Sequence, residues 1–324
     1  MKKILLIGGG GYVGSRLVDY LKLNYEVTVY DLFIYGDTIN ENKSVFKIKG
    51  DIRDLNLLKE IIPKHEIIIH LACISNDPSF DLNPDLGKSI NFDPFESLIK
   101  ISKDNGIKRF IYASSSSVYG IKDEKNVDEN CSLEPITDYS IFKAKCEEIL
   151  LKYTDRSFIG TIIRPATVCG YSKRQRLDLV VNILTNFAYN KGEILVYGGS
   201  QLRPNINIKD MCRAYIKILE SNEQDIKGEI FNVGYENNSV NDLAKIVSEN
   251  IQKKVLIKNV PTDDNRSYHI SSKKILNNIG FKNKFDIKDA VCEIRDAFKK
   301  NLFKDPLNNE IYFNIRRMKS LNLK

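Results

Sequence analysis

The 324-residue chain has no tryptophan and only three histidines. Its six cysteines (Cys73, Cys131, Cys146, Cys169, Cys212 and Cys292) are scattered, with no Cys-x-x-Cys pair among them. That leaves neither the ligand set of a zinc site nor the spacing of a disulfide framework, so the thiols read as reduced packing residues. No apolar run approaches the roughly 18 residues a membrane helix needs. Met1-Lys2-Lys3 followed by Ile4-Leu5-Leu6-Ile7 imitates the start of a signal peptide. The apolar stretch then stops at a glycine run, short of the ~7–15-residue core of a signal. A first β-strand explains it better, and a cytoplasmic protein with no membrane partner is the expectation. No basic run of five or more residues occurs either. The net charge of +7 is spread among acids almost everywhere, which reads as a solvated surface and not as a nucleic-acid interface.

What is present is an ordinary globular composition, 42% hydrophobic and 28% charged, on a chain long enough for a large core. The first half alternates β-branched runs with amphipathic stretches. Strands are expected at Lys3–Ile7, Glu26–Tyr30, Val45–Lys49, Glu66–His70, Arg109–Ala113 and Phe158–Arg164. Helices are expected at Tyr12–Leu23, Leu55–Ile62, Lys88–Asn105 and Asp138–Thr154. Such alternation implies right-handed crossovers and a doubly wound parallel sheet, the α/β Rossmann class. After Arg164 the pattern becomes irregular. Helices at Leu177–Asn190 and Asp210–Glu220, strands at Ile194–Val196 and Ile230–Val233, and a helix starting at Ser239 are expected there. Residues 1–165 thus read as a dinucleotide-binding domain. Residues 166–324 read as a smaller α/β substrate lobe, partly interleaved with the main sheet. The ligand site belongs at the carboxyl ends of the strands, between the two.

The first strand runs directly into Gly8-Gly9-Gly10-Gly11-Tyr12-Val13-Gly14. Glycines at 8, 11 and 14 permit a tight strand-to-helix turn and let the backbone approach a pyrophosphate at the helix N-terminus. The next strand ends at Asp31, an acid placed to accept from adenosine ribose hydroxyls and to repel a 2′-phosphate. NAD is therefore expected over NADP.

The strand Arg109–Ala113 ends in Ser114-Ser115-Ser116-Ser117-Val118-Tyr119-Gly120, and Tyr139-Ser140-Ile141-Phe142-Lys143 follows inside an expected helix. Residues at i and i+4 share one face, so the phenol and the ammonium can point into one cleft. A phenol ionises near pH 10, and a neighbouring cation brings it toward the range of a useful base. Each motif alone is weak; their order along one chain makes them specific.

Taken together, these motifs resemble an extended short-chain dehydrogenase/reductase of the NAD-dependent epimerase/dehydratase family, over nearly the whole chain. The resemblance implies a set of roles. Ser115, Tyr139 and Lys143 would be catalytic. Gly8, Gly11, Tyr12, Val13, Gly14, Asp31, Asp51, Ile52, Leu71, Ala72, Cys73 and Asn91, together with Tyr139 and Lys143, would hold NAD. Ser75, Asn76, Ser115, Ser116, Asn182, Arg203 and Arg266 would face a nucleotide-diphosphate sugar, the two arginines on its diphosphate. The family also commonly dimerises through two helices, here Lys88–Asn105 and Asp138–Thr154. The segment Arg176-Leu177-Asp178-Leu179-Val180-Val181-Asn182, with Asp264-x-Arg266, is similar to a subgroup of surface-polysaccharide pathways that includes GDP-heptose 4-dehydrogenases.

In this family the resemblance implies oxidation at carbon 4 of the sugar, after which members diverge. The 4,6-dehydratases carry Asp-Glu directly after the catalytic hydroxyl; here those positions are Ser116 and Ser117, which cannot perform carboxylate acid–base chemistry. Epimerisation is the first expectation, net 4-oxidation the second and reduction of a 4-keto sugar the third. A non-catalytic dinucleotide-binding regulator would be expected to lose the serine, the tyrosine or the lysine, and all three are present.

Overall fold

A computed structural model describes residues 1–122, 124, 126–262 and 267–323. In chain order its strands are β1 (Lys3–Ile7), β2 (Glu26–Asp31), β3 (Val45–Lys49), β4 (Ile67–His70), β5 (Arg109–Ala113), β6 (Ile159–Pro165), β7 (Thr167–Cys169), β8 (Glu193–Tyr197), β9 (Leu202–Asn207), β10 (Ile230–Val233), β11 (Glu236–Ser239) and β12 (Leu256–Val260). The helices are α1 (Tyr12–Leu21), α2 (Leu55–Ile61), α3 (Asp77–Phe80), α4 (Pro84–Asn91), α5 (Phe95–Asp104), α6 (Asp138–Tyr153), α7 (Val180–Lys191), α8 (Ile208–Glu220), α9 (Glu223–Ile226), α10 (Val240–Asn250), α11 (Lys273–Ile279), α12 (Ile287–Lys299) and α13 (Asn314–Leu321).

Seven strands form one all-parallel sheet in the order β10-β6-β5-β4-β1-β2-β3. The continuous apolar runs of β1 and β4 are what a strand covered on both faces requires. Alternate side chains of β1 enter different cores: Ile4 and Leu6 join Leu17, Val18 and Leu21 of α1, while Leu5 and Ile7 join Leu98 and Ile99 of α5. Strand order reverses between β1 and β4, and that reversal opens the crevice where ligands of doubly wound sheets bind.

Chain beyond residue 165 returns to this sheet. β10 pairs with β6, and α8 packs beside α1. The remainder builds a second core in which α7, α10 and α12 cover β8. There β11-β9-β7 form one small sheet and β12-β8 another. The helix at Ser239 begins as expected, with a reciprocal capping box between Ser239 and Asp242.

One expected helix is corrected. Residues Lys88–Asn105 are not continuous: α4 ends at Asn91 and α5 starts after Pro94, its N-cap. Proline has no backbone N–H to give to the preceding turn, so the helix stops and restarts. The expected Leu177–Asn190 helix begins only at Val180, because Leu179 before it is extended, with φ −91° and ψ 147°. The last helix, α13, lies against α3, and Met318 and Leu323 pack with Ile74, Phe80 and Tyr139. Among the described residues no helix is long and apolar enough to cross a membrane.

Candidate active site

One crevice at the carboxyl ends of β1, β2, β4 and β5 is lined by both sets of motifs. Gly8, Gly11, Tyr12, Val13 and Gly14 form its floor. Gly8 has φ +81°, and a Cβ there would lie 2.3 Å from the Ala72 nitrogen. A Cβ on Gly14 would lie 2.6 Å from the Gly9 carbonyl oxygen, so this turn admits only glycine. Helix α1 has no acid in its first turn, leaving its positive end open to an anion. Asp31 lies at the rim of the turn and accepts from Gly10 N at 2.9 Å and Phe33 N at 2.7 Å. Burial raises the Asp31 pKa, and the two backbone N–H groups oppose that rise. A backbone cradle with an acid at the end of β2 fits a dinucleotide.

The facing wall comes from β5 and α6. Thr137 caps α6 in a box with Ser140, which fixes the first turn and sets Tyr139 and Lys143 on its buried face. Lys143 Nζ donates to the Ala113 carbonyl at 2.6 Å and lies 5.9 Å from the Tyr139 ring centroid. Ser115 and Ser117 share a hydroxyl–hydroxyl hydrogen bond of 2.8 Å. Burial, with Cys73 and Asp77 close by, pushes the Tyr139 phenol well above its ordinary value. A hydrogen bond with Ser115 and the charge of Arg176 pull the other way. Without ligands the phenol is therefore held protonated.

The structure brings together Leu71, Ala72, Cys73, Ile52, Ser75, Asn76 and Ser116 on the same crevice. Asn76 adopts φ 72° and ψ 156° and caps α3 through its side chain, a backbone state that costs a non-glycine residue about 1–3 kcal/mol. Other expected site residues sit differently. The Asp51 carboxylate turns onto Arg53, at 2.7 Å, and Gly50 and Ile52 take the crevice side. Asn91 reaches the crevice only through the loop it supports, exchanging two hydrogen bonds with the Ile74 backbone. Asn182 is fully buried and holds Gly170 N, Tyr12 Oη and the Arg176 carbonyl. Arg203 stacks on Tyr268, itself a crevice residue, at 5.0 Å from the ring centroid. Arg266 lies outside the described residues.

Sequence reasoning missed Arg174 and Asn314, both of which line the crevice, and gave Arg176 no site role; Asp77, in the segment 74–78 that the sequence sets against the sugar, also lines it. Asp77 accepts from the Thr137 hydroxyl at the start of α6. Arg176 pairs with Asp178 and donates to Ser75 Oγ at 3.0 Å. Asn314, on α13, also donates to Ser75 Oγ at 3.0 Å.

Comparison with known proteins agrees with this geometry. The chain is 28% identical over 306 residues to a putative UDP-glucose 4-epimerase of Methanocaldococcus jannaschii, covering 92% of this chain and 99% of that one. A dTDP-D-glucose 4,6-dehydratase of Dictyostelium discoideum is 29% identical over 277 residues, covering 78% of this chain and 63% of that one. Among solved structures, a UDP-glucose 4-epimerase from Thermotoga maritima with UDP-glucose superimposes with a TM-score of 0.82 at 26% identity, covering 93% of this chain and all of that one. The fold is also that of a dTDP-glucose 4,6-dehydratase from Streptomyces venezuelae, at TM-score 0.84 and 21% identity, covering 94% of this chain. A sequence model of the NAD dependent epimerase/dehydratase family matches residues 4–234, and with the glycine turn and Asp31 in place the chain belongs to that family, an NAD-dependent enzyme of the extended short-chain dehydrogenase/reductase fold.

Proposed function

We propose that the enzyme is a nucleotide-sugar 4-epimerase of surface-polysaccharide sugar biosynthesis, acting through transient oxidation at carbon 4. The observation that carries this reading is the serine run beside Tyr139. Ser116 is buried, Ser117 is hydrogen-bonded to Ser115, and neither is a carboxylate. Eliminating water needs an acid and a base poised together. Among the described residues lining the crevice, the carboxylate beside Asn76, Asp77, is already engaged with Thr137. Bound NAD supplies the hydride acceptor and donor. Once ionised in the ligand-bound site, Tyr139 Oη takes the proton of the carbon-4 hydroxyl and gives it back, while Ser115 Oγ hydrogen-bonds the same oxygen. Lys143, fixed on the Ala113 carbonyl, favours the ionised phenol electrostatically.

Net 4-oxidation is the second reading, favoured by one feature. The Arg176–Asp178 pair belongs to the segment that resembles the heptose dehydrogenase subgroup, and Arg176 touches Ser75 on the sugar side. Incubation with a panel of UDP-, dTDP-, GDP- and CDP-sugars separates the two. An epimer with no accumulating NADH is the expected result; a 4-keto product with stoichiometric NADH means a dehydrogenase. A 4-keto-6-deoxy product would overturn both.

The same proposal includes a homodimer through α5 and α6, which pack side by side. Half-buried Phe92 and Phe142 lie near them with centroids 5.0 Å apart and rings tilted by 30°, and Lys145 lies over both rings. Light scattering should give twice the chain mass; a monomer at micromolar concentration would remove this part.

A further inference from the structure

Arg174 lies in the loop between β7 and α7, and its buried side chain lines the crevice. One of its guanidinium nitrogens is engaged: Nη2 donates to Asn314 Oδ1 at 2.6 Å. Nε and Nη1 are buried without a partner. The guanidinium carbon is 3.9 Å from the centroid of the Tyr35 ring, a contact that fixes its plane but cannot neutralise its charge. Among the described residues no carboxylate is hydrogen-bonded to it; the two whose charge acts on it have other donors. Asp31 accepts from Gly10 and Phe33, and Asp178 accepts from Arg176 and from Asn314 N. Burial, and then the like charge of Arg176, pull the Arg174 pKa down to about 10. A guanidinium that still carries its proton at neutral pH is thus buried with two nitrogens unmet and only the charges of Asp178 and Asp31, neither hydrogen-bonded to it, to offset its own, an arrangement that an anion would complete.

The position of Arg174 limits what that anion is. Its backbone N–H donates to Ser15 Oγ at 3.3 Å, one residue beyond Gly14, so this loop is docked on the glycine turn. Asn314, its one side-chain partner, also touches the sugar-side Ser75. The two open N–H groups therefore lie between the cradle for a dinucleotide and the wall for a sugar. A planar fork of this kind matches phosphate oxygens.

We propose that Arg174 binds a diphosphate oxygen of a ligand in this crevice. The diphosphate comes either from the dinucleotide or from the nucleotide sugar. The first source is independent of the reaction proposed above, and the second rests on it. The test uses the full chain stripped of dinucleotide, with Arg174→Gln and Arg174→Lys variants. NADH binding is read by fluorescence, and binding of UDP, dTDP and GDP by calorimetry. Arg174→Gln should weaken binding about 10- to 100-fold, and Arg174→Lys should recover only part, because an ammonium lacks the fork. The melting temperature of the ligand-free Arg174→Gln variant should stay level or rise, since a buried charge with no hydrogen-bonded counter-ion is gone. Weaker NADH binding assigns the dinucleotide, weaker nucleoside-diphosphate binding assigns the nucleotide sugar, and loss of both at an unlowered melting temperature assigns a shared contact. Unchanged affinity for both ligands overturns the proposal. So does weaker binding with a lowered melting temperature, which would make Arg174 a structural residue.

Discussion

Replacing Tyr139 by phenylalanine is expected to lower kcat by about 10²- to 10⁴-fold while leaving KM and folding nearly unchanged. The substitution deletes one hydroxyl and keeps the ring. That ring packs edge-on against Phe80, 6.3 Å between centroids, in a cluster with Ile74, Leu86 and Met318, so the apolar contacts survive. What disappears is the group that exchanges a proton with the sugar, an interaction that matters in the transition state and little in the ground state. The buried phenol, held protonated without ligands, also sets the sign of the pH dependence. A reaction that needs the phenolate loses rate as pH falls, and the phenylalanine variant should lose that slope. Ser115→Ala should also slow the reaction, and the double variant should be little slower than Tyr139→Phe alone, because the two hydroxyls act on one oxygen. The measurement is initial rate against pH on whichever nucleotide sugar the panel identifies. Wild-type kcat in the phenylalanine variant would remove Tyr139 as the proton acceptor.

The parts of this site that could be read from sequence are those built from local pattern. Gly8, Gly11 and Gly14 announce a turn because each spacing has a steric reason, and Tyr139 and Lys143 declare a shared helix face by their separation alone. The apolar runs of β1 and β4 announce a buried parallel sheet in the same way. Features that depend on distant chain gave no such signal. Asn314 meets Arg174 across 140 positions and Ser75 across 239, and no periodicity connects them. β9, with the sequence Leu-Arg-Pro-Asn-Ile-Asn, is too polar and carries a proline, so it does not read as a strand until β7 and β11 flank it. Asn91 and Asn182 illustrate a different limit. Family resemblance located them at the site, but the structure shows side chains that hold backbone in place behind the crevice surface.

The second large effect is on stability, and it falls one turn along α6 from Lys143. Glu147→Gln should destabilise the fold by about 3–5 kcal/mol, the cost of leaving a buried charge without its partner. Glu147 and Arg164 are each 3% exposed and form a bidentate pair, with Arg164 Nη2 to Glu147 Oε2 at 2.6 Å and Nε to Oε1 at 3.0 Å. Ser114 Oγ donates to the same carboxylate. Arg164 Nη1 continues the network to Tyr119 Oη at 2.8 Å, and Tyr119 donates to Asn232 Oδ1 at 2.8 Å. One carboxylate thus ties α6 to the end of β5, to β6 and, through Tyr119, to β10. The substituted amide could still accept one hydrogen bond, but Arg164 would remain charged, since a guanidinium does not give up its proton in a folded protein. Set against a total stability on the order of 5–15 kcal/mol, such a loss moves the urea midpoint strongly. The double variant Glu147→Leu, Arg164→Met removes both charges and should recover much of that stability. It should not recover activity, because Ser114 no longer anchors the strand end that presents Ser115 opposite Tyr139. Urea melts with kcat on the same samples separate the two roles. A Glu147→Gln variant with the wild-type midpoint would mean that the pair contributes little, and a fully active double variant would mean that Ser115 needs no anchor from Glu147.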